Sequence, residues 1–245
     1  MDALRQRFDE RLQEIETYLD LLEAMQQEIQ NGPPEIGGVK ITTQQQKILY
    51  SSVYLQLYNL VEATITWCVD AVCTAATANG RWFPGDLAAP LRREWVRSGA
   101  RTHTDLSQEN RLNYAVEFCD LLIQALPLSE LKVEKKSNWD DTDILTITKR
   151  LGLDLKISSA VSRGIKRRIR DDKGALGLIK DLRNHLAHGS LSFSECGDGV
   201  TVLDLKDLKE RTALYLREVV GAFRAYIDAY EFLLPQRRPV PGTQP

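Results

Sequence analysis

The chain has 245 residues, 43% of them apolar and 27% charged, with a formal net charge of −2. These proportions describe a globular chain with a buried core and exclude a wholly disordered or fibrous one. The near balance of charge excludes recognition of nucleic acid by bulk attraction, so any such partner must meet a local patch.

In chain order, Leu4, Phe8, Leu12, Ile15, Leu19 and Leu22 recur at three- and four-residue steps, with Ile29 two turns further on. That spacing predicts one long helix with a single apolar stripe, stopped at Asn31-Gly32-Pro33-Pro34. Residues 1–31 therefore read as an N-terminal helical extension in need of a partner surface. No apolar signal core precedes it, and no window approaches the roughly 18 apolar residues of a membrane span. Cys68, Cys73, Cys119 and Cys196 form no Cys-x-x-Cys pair, and the first three fall within apolar helical patterns. They point to a reducing compartment and away from zinc. The expectation is a soluble, cytoplasmic protein.

A Gly-rich connector at 35–41 leads to a helix capped by Thr42 or Thr43 and running to about Asn79. Its apolar residues spread so widely around the axis that it is expected to be central and buried. Within it, Tyr58-Asn59-Leu60-Val61-Glu62 carries polar groups that, if buried, require hydrogen-bond partners. A loop at 80–85 precedes a short helix near 91–98, a connector holding His103 as a solvated loop histidine, and a helix at 108–126 stopped by Pro127. Residues 129–141 are the most polar internal stretch and read as an exposed loop. A short helix capped by Asp141 or Thr142 then runs to Arg150 and is closed by Gly152.

The next helix, from Ser158 or Ser159, carries Arg163, Lys166, Arg167, Arg168 and Arg170. Such a face is either simply solvated or a surface for phosphates. Residues 174–188 form the helix with the densest chemistry, Leu182-Arg183-Asn184-His185-Leu186-Ala187-His188, with Gly189 as its left-handed cap. Residues 191–202 read as irregular or as a short hairpin around Gly197-Asp198-Gly199, 204–234 as a long terminal helix, and 235–245 as a disordered Pro/Arg-rich tail. The fold class is all-α, an up-and-down helical bundle with room for one short β-hairpin.

At ~100° per residue, Ile179, Leu182 and Leu186 share an inward face, while Asn184, His185 and His188 lie roughly opposite and Arg183 on a flank. Histidine can exchange protons near neutral pH. The arginine offers a fork of donors suited to a phosphate and to the added charge of a pentavalent transition state. Yet Arg183 and His188 point about 140° apart, so one copy makes a thin site. Two copies about a two-fold axis would bring both sets into one cleft. Chemistry alone leaves three readings open: a hydrogen-bonding cluster within a dimer, a metal site from Asp181, His185 and His188 lacking an identifiable further ligand, or metal-free phosphodiester chemistry.

The segments Ser51-Ser52-Val53-Tyr54-Leu55-Gln56-Leu57-Tyr58-Asn59-Leu60-Val61-Glu62 and Leu182 to Gly189, the following Ser190 to Gly197, and the long helix after Asp204 resemble the HEPN superfamily of helical ribonucleases, specifically its MAE-type branch. The resemblance spans about residues 43–234. The family's Arg-x4–6-His signature, often Arg-Asn-x3-His, falls on Arg183, Asn184 and His188, alongside a Tyr-Asn-x-x-Glu segment. What it implies is that Arg183 and His188 are catalytic and Asn184 orients them or the substrate. Asn59, Glu62 and His185 are supporting, His185 at a variable position. It further implies no metal or cofactor and a homodimer through the motif helix. The imidazole would activate an RNA 2′-hydroxyl against the adjacent phosphate, leaving a cyclic phosphate and a free 5′-hydroxyl. Such proteins serve as toxins or effectors in bacterial toxin–antitoxin and anti-phage systems, held in check by an inhibitory partner. The rival expectation is a catalytically silent RNA- or protein-binding module that uses the same cleft or the basic helix.

Overall fold

The computed structural model describes residues 2–28, 32–99, 106–124 and 126–239. His103, Ile29 and residues 240–245 of the expected tail lie outside them. The fold is an all-α bundle of nine helices among the described residues, with one two-stranded sheet.

Helix α1 (Asp2–Glu28) buries the expected stripe, Leu4, Phe8, Leu12, Ile15, Leu19 and Leu22, extended by Met25. The stripe packs on α2 (Thr43–Thr77) and α9 (Val202–Asp228). Lys206 and Lys209 of α9 pair with Glu23 and Glu16 of α1 at 2.7 and 3.0 Å, which sets the register of the contact. The sheet is a hairpin of β1 (Glu35–Ile36) and β2 (Val39–Lys40), not the one expected near residue 198. Gly37-Gly38 supplies the turn that Gly197-Asp198-Gly199 was expected to make, while α8 (Phe193–Cys196) occupies the latter region.

Thr42 starts α2 through a capping box with Gln45, whose side chain accepts from the Thr42 amide at 2.8 Å. An 18-residue window within residues 43–80 reaches a mean hydropathy of 1.2, against the expectation that no window approaches a span. Its apolar character has a packing cause. Helix α2 is the central element of the bundle, contacted by α1, α7 (Ala175–Ala187), α8 and α9, and Val53, Leu57, Leu60, Val61, Ile65, Cys68, Val69 and Val72 are sealed among them.

Helix α3 (Ala89–Gly99) packs on α5 (Asp141–Leu151), bound by buried Glu94, which accepts from Arg150 Nε and a terminal nitrogen at 3.1 and 2.6 Å. Asp140 caps α5, one residue before the expected position, and Gly152 closes it in the left-handed region. Helix α4 (Gln108–Ile123) has no buried residue.

Two expectations give way here. Residues 129–140 are irregular but not simply exposed, since Leu131, Val133 and Trp139 turn into the core. The tail is ordered at its start: Leu234 donates its amide to Asp86 O, and Arg237 Nε reaches the Asp86 carboxylate at 2.9 Å, closing residues 235–237 over the loop before α3.

Candidate functional site

The motif helix is α7 (Ala175–Ala187), fastened by buried Leu176, Leu178, Ile179, Leu182 and Leu186. His188 is its C-cap residue and Gly189 follows at φ +69°. The Ser190 amide donates to His185 O and the Gly189 amide to Leu186 O, at 3.0 and 3.3 Å. This is the Schellman arrangement, which requires a left-handed residue after the cap and so favours glycine there.

The polar set divides. Arg183 is half-buried, with its guanidinium carbon 4.4 Å from the centre of the Tyr58 ring on α2. One guanidinium nitrogen donates to Asn184 Oδ1 at 3.0 Å and to Asn138 Oδ1 at 3.4 Å. The Tyr58 ring is fully buried, and its hydroxyl donates to Ser137 O at 2.8 Å. Burial pushes the Tyr58 phenol above its ordinary pKa, and the Glu62 carboxylate adds to this while Arg183 opposes it. Glu62 is half-buried and Asn59 is exposed, so of the Tyr-Asn-x-x-Glu segment it is the tyrosine that touches the motif.

His188 is exposed at the helix end, and among the described residues its ring has no hydrogen-bond partner. His185 is also exposed but engaged: Nδ1 lies 2.7 Å from Ser190 Oγ and Nε2 3.6 Å from Asp181. Asp181 itself accepts from Lys173 Nζ at 2.5 Å. His185 thus ties the cap to the preceding turn.

Beyond Asn138 runs an open groove of about 600 Å³ lined by Lys136, Asn138, Asp143, Arg150 and Lys180, among others. Lys180 of α7 donates to Asp140 and Asp143 at 2.6 and 2.9 Å, and Lys136 also binds Asp143. Burial opposes ionisation of Asp143, but the two lysines outweigh it and hold its pKa below the ordinary value. The same carboxylates raise Lys180 against its own desolvation. This cluster fixes the 136–140 segment against α7, and thereby the Asn138 that meets Arg183. Sequence reasoning missed Tyr58 and Asn138 as site residues. The available signal was the apolar spacing of Leu131, Val133 and Trp139 inside a stretch otherwise dominated by charge.

The basic residues are split. Helix α6 (Ser159–Lys166) ends sooner than expected, because residues 170–173 form a tight turn with Asp171 and Asp172 at positive φ. Arg163 and Lys166 stand exposed on α6 and Arg167 exposed at its cap. Arg168 pairs with Asp172 at 2.9 Å. Arg170 turns towards Tyr54 and Cys196, whose pKa values burial raises and Arg170 partly restrains, Tyr54 standing at about 12.

No curated protein and no solved structure matches the chain. A family model described as HEPN_MAE_28990-like HEPN matches residues 1–232, taking in α1 as well as the motif helix and α9. With the motif at the end of α7 and nearly the whole chain inside that match, the protein belongs to the HEPN_MAE_28990-like HEPN family.

Proposed function

We propose that the chain is a metal-independent endoribonuclease whose active site is completed by a second copy across α7. The observation that carries this reading is the contrast on that helix: Arg183 is stacked and hydrogen-bonded in place, while His188 presents an open imidazole. A guanidinium fixed before substrate arrives costs little reorganisation when charge develops on a phosphorane. An unpartnered imidazole is free to take a proton. Because the two point about 140° apart on one helix, a two-fold cleft in which the arginine of one copy meets the histidine of the other supplies both groups to one phosphate.

In that cleft His188 accepts the proton of a 2′-hydroxyl as its oxygen bonds to the adjacent phosphorus. The bond from phosphorus to the 5′-oxygen breaks, and the leaving oxygen takes up a proton from water, giving a cyclic phosphate and a 5′-hydroxyl, while His188 later returns its proton to solvent. Arg183 steadies the added negative charge. Asn184, whose carbonyl oxygen already faces Arg183, has its amide nitrogen left for substrate. The exposed Arg163, Lys166 and Arg167 supply a phosphate-contacting surface. Within the same reading the protein acts in the cytoplasm as a toxin or effector of a bacterial toxin–antitoxin or anti-phage system, with an inhibitory protein partner.

The test is incubation of purified protein with RNA in EDTA. Expected are products ending in a cyclic phosphate and beginning with a 5′-hydroxyl, and none from Arg183→Ala or His188→Ala. Cleavage that persists in either variant would sink the reading. Binding without any product would favour the silent RNA-binding module instead.

A further inference from the structure

Helix α4 is amphipathic in a way the bundle does not use. Phe118 ties it to the bundle, lying 4.4 Å, centroid to centroid, from Trp95 of α3. Gly99 makes room for that contact, since a Cβ there would stand 2.1 Å from the Phe118 ring. Centred about 100° around the helix, Leu112, Ala115, Val116, Cys119, Leu122 and Ile123 form a second stripe, with Leu126 following just past the helix end. Its five large members are 44 to 79% exposed. Contiguous apolar surface of this kind marks an interaction site.

The spacing of the stripe selects its occupant. Relative to Cys119, the other six residues lie at minus and plus three, four and seven. A three–four alternation of this kind is the seam of a helix pair. Because it reads the same in both directions, an antiparallel copy related by a two-fold axis at Cys119 places every apolar residue on another. Leu112 reaches the segment past the partner's helix end that carries Leu126, while within the helix Ala115 meets Ile123, Val116 meets Leu122, and Cys119 meets its own mate. Small faces large at the second of these pairs, and the small thiol lies on the axis where two helices come closest. The charged Glu109, Arg111, Glu117 and Asp120 lie off the seam. At the observed exposures the five large side chains offer roughly 500 Å² per copy, so pairing buries on the order of 1,000 Å², about the lower bound for a specific interface.

We infer that α4 is a self-association surface that pairs antiparallel with α4 of a second copy about an axis through Cys119. This contact is separate from the α7 cleft proposed above and does not depend on ribonuclease activity. A chain with two isologous faces joins dimers into larger closed or linear assemblies.

The test uses the cysteines, because Cys68, Cys73 and Cys196 are buried and Cys119 is exposed. Dilute full-length protein is treated with a short bis-maleimide and resolved under denaturing conditions. Expected is a covalent dimer from the natural chain, none from Cys119→Ser, and at least about tenfold less from Ile123→Glu, which buries a charge in the seam. Ile123 is 79% exposed, so an unchanged circular dichroism spectrum is expected to show that this variant folds. His188→Ala is expected to cross-link as the natural chain does, whatever its effect on RNA. In a Cys119→Ser background, Leu112→Cys alone is expected not to link, and Leu112→Cys with Leu126→Cys is expected to link. Absence of the Cys119 product, its survival in Ile123→Glu, or efficient linking by Leu112→Cys alone overturns the proposal.

Discussion

Arg183 and His188 sit five residues apart on α7, yet the protein treats them differently. The arginine is surrounded by its own chain: a buried tyrosine ring beneath it, one asparagine beside it, and another reaching from the 136–140 segment. The histidine is placed only by backbone, through the cap that Gly189 completes, and its ring faces outward. A group that stabilises charge gains from being fixed in advance, whereas a group that must transfer a proton gains from access to substrate. On the proposed reading, half of the site is built within one fold and the other half awaits a second copy.

The largest effect that could break this comparison comes from mixing two inactive chains. If the arginine of one copy works with the histidine of another, co-refolding Arg183→Ala with His188→Ala chains rebuilds one intact site in each mixed dimer. Activity is then expected to return from background to about a quarter of the natural rate, half of the dimers being mixed and one of two sites in each being whole. Rates in EDTA on a labelled RNA check this. No recovery, with both single variants folded and dimeric, would mean that each copy uses its own pair.

A smaller effect tests the held half alone. Tyr58→Leu removes the ring under Arg183 and is expected to lower kcat by about tenfold, the worth of a partly desolvated cation–π contact, with a lesser change in KM. Tyr58→Phe keeps the ring and loses only the bond to Ser137 O, which predicts nearly full kcat and a stability loss of about 1 kcal/mol in urea titrations. Equal damage to kcat from both variants would show that the tyrosine serves only to hold the 136–140 segment.

Much of this was legible in the sequence, for reasons particular to each part. The α1 stripe, the broad apolar coverage of α2, the Gly152 and Gly189 caps and the Arg-Asn-x3-His spacing are local signals, and each corresponds to an observed feature. Tyr58 and Asn138 are 80 residues apart, and what joins them is the bundle itself, which no spacing rule encodes. The 129–141 stretch misled because Leu131, Val133 and Trp139, interleaved with its charges, turn into the core, and Lys135 and Lys136 reach back to Asp70 and Asp143. The end of α6 misled because basic residues continue in the sequence after the backbone has turned at Asp171 and Asp172.

Acid provides a gentler way to loosen the held side. The folded-state pKa of Asp143 is depressed, so the stability it contributes is present above its ordinary value of 3.8 and is lost as pH falls through the lower folded value. Protonation there releases Lys136 and Lys180 and slackens the segment that carries Asn138. Between about pH 5 and pH 3 the natural protein is expected to lose more thermal stability than Asp143→Asn, whose Tm starts lower and changes less over the same range. Parallel melting curves would remove the cluster from the argument.

The smallest effect concerns the basic residues, and it separates guidance from chemistry. Arg163, Lys166 and Arg167 are exposed, whereas Arg168 and Arg170 are already engaged by Asp172 and Asp171. If the three exposed side chains contact phosphates, reversing all three to glutamate removes about three counterion-releasing contacts and flattens the dependence of log affinity on log salt by about 2 for a single strand. The loss in affinity is then modest at high salt and grows as salt is lowered, while kcat at saturating RNA is unchanged, because neither Arg183 nor His188 has moved. Binding measured across a salt series beside single-turnover cleavage reads both quantities. A fall in kcat without a change in salt slope would put these residues within the cleft itself, and the open half of α7 would then be open towards its own α6 rather than towards a second copy.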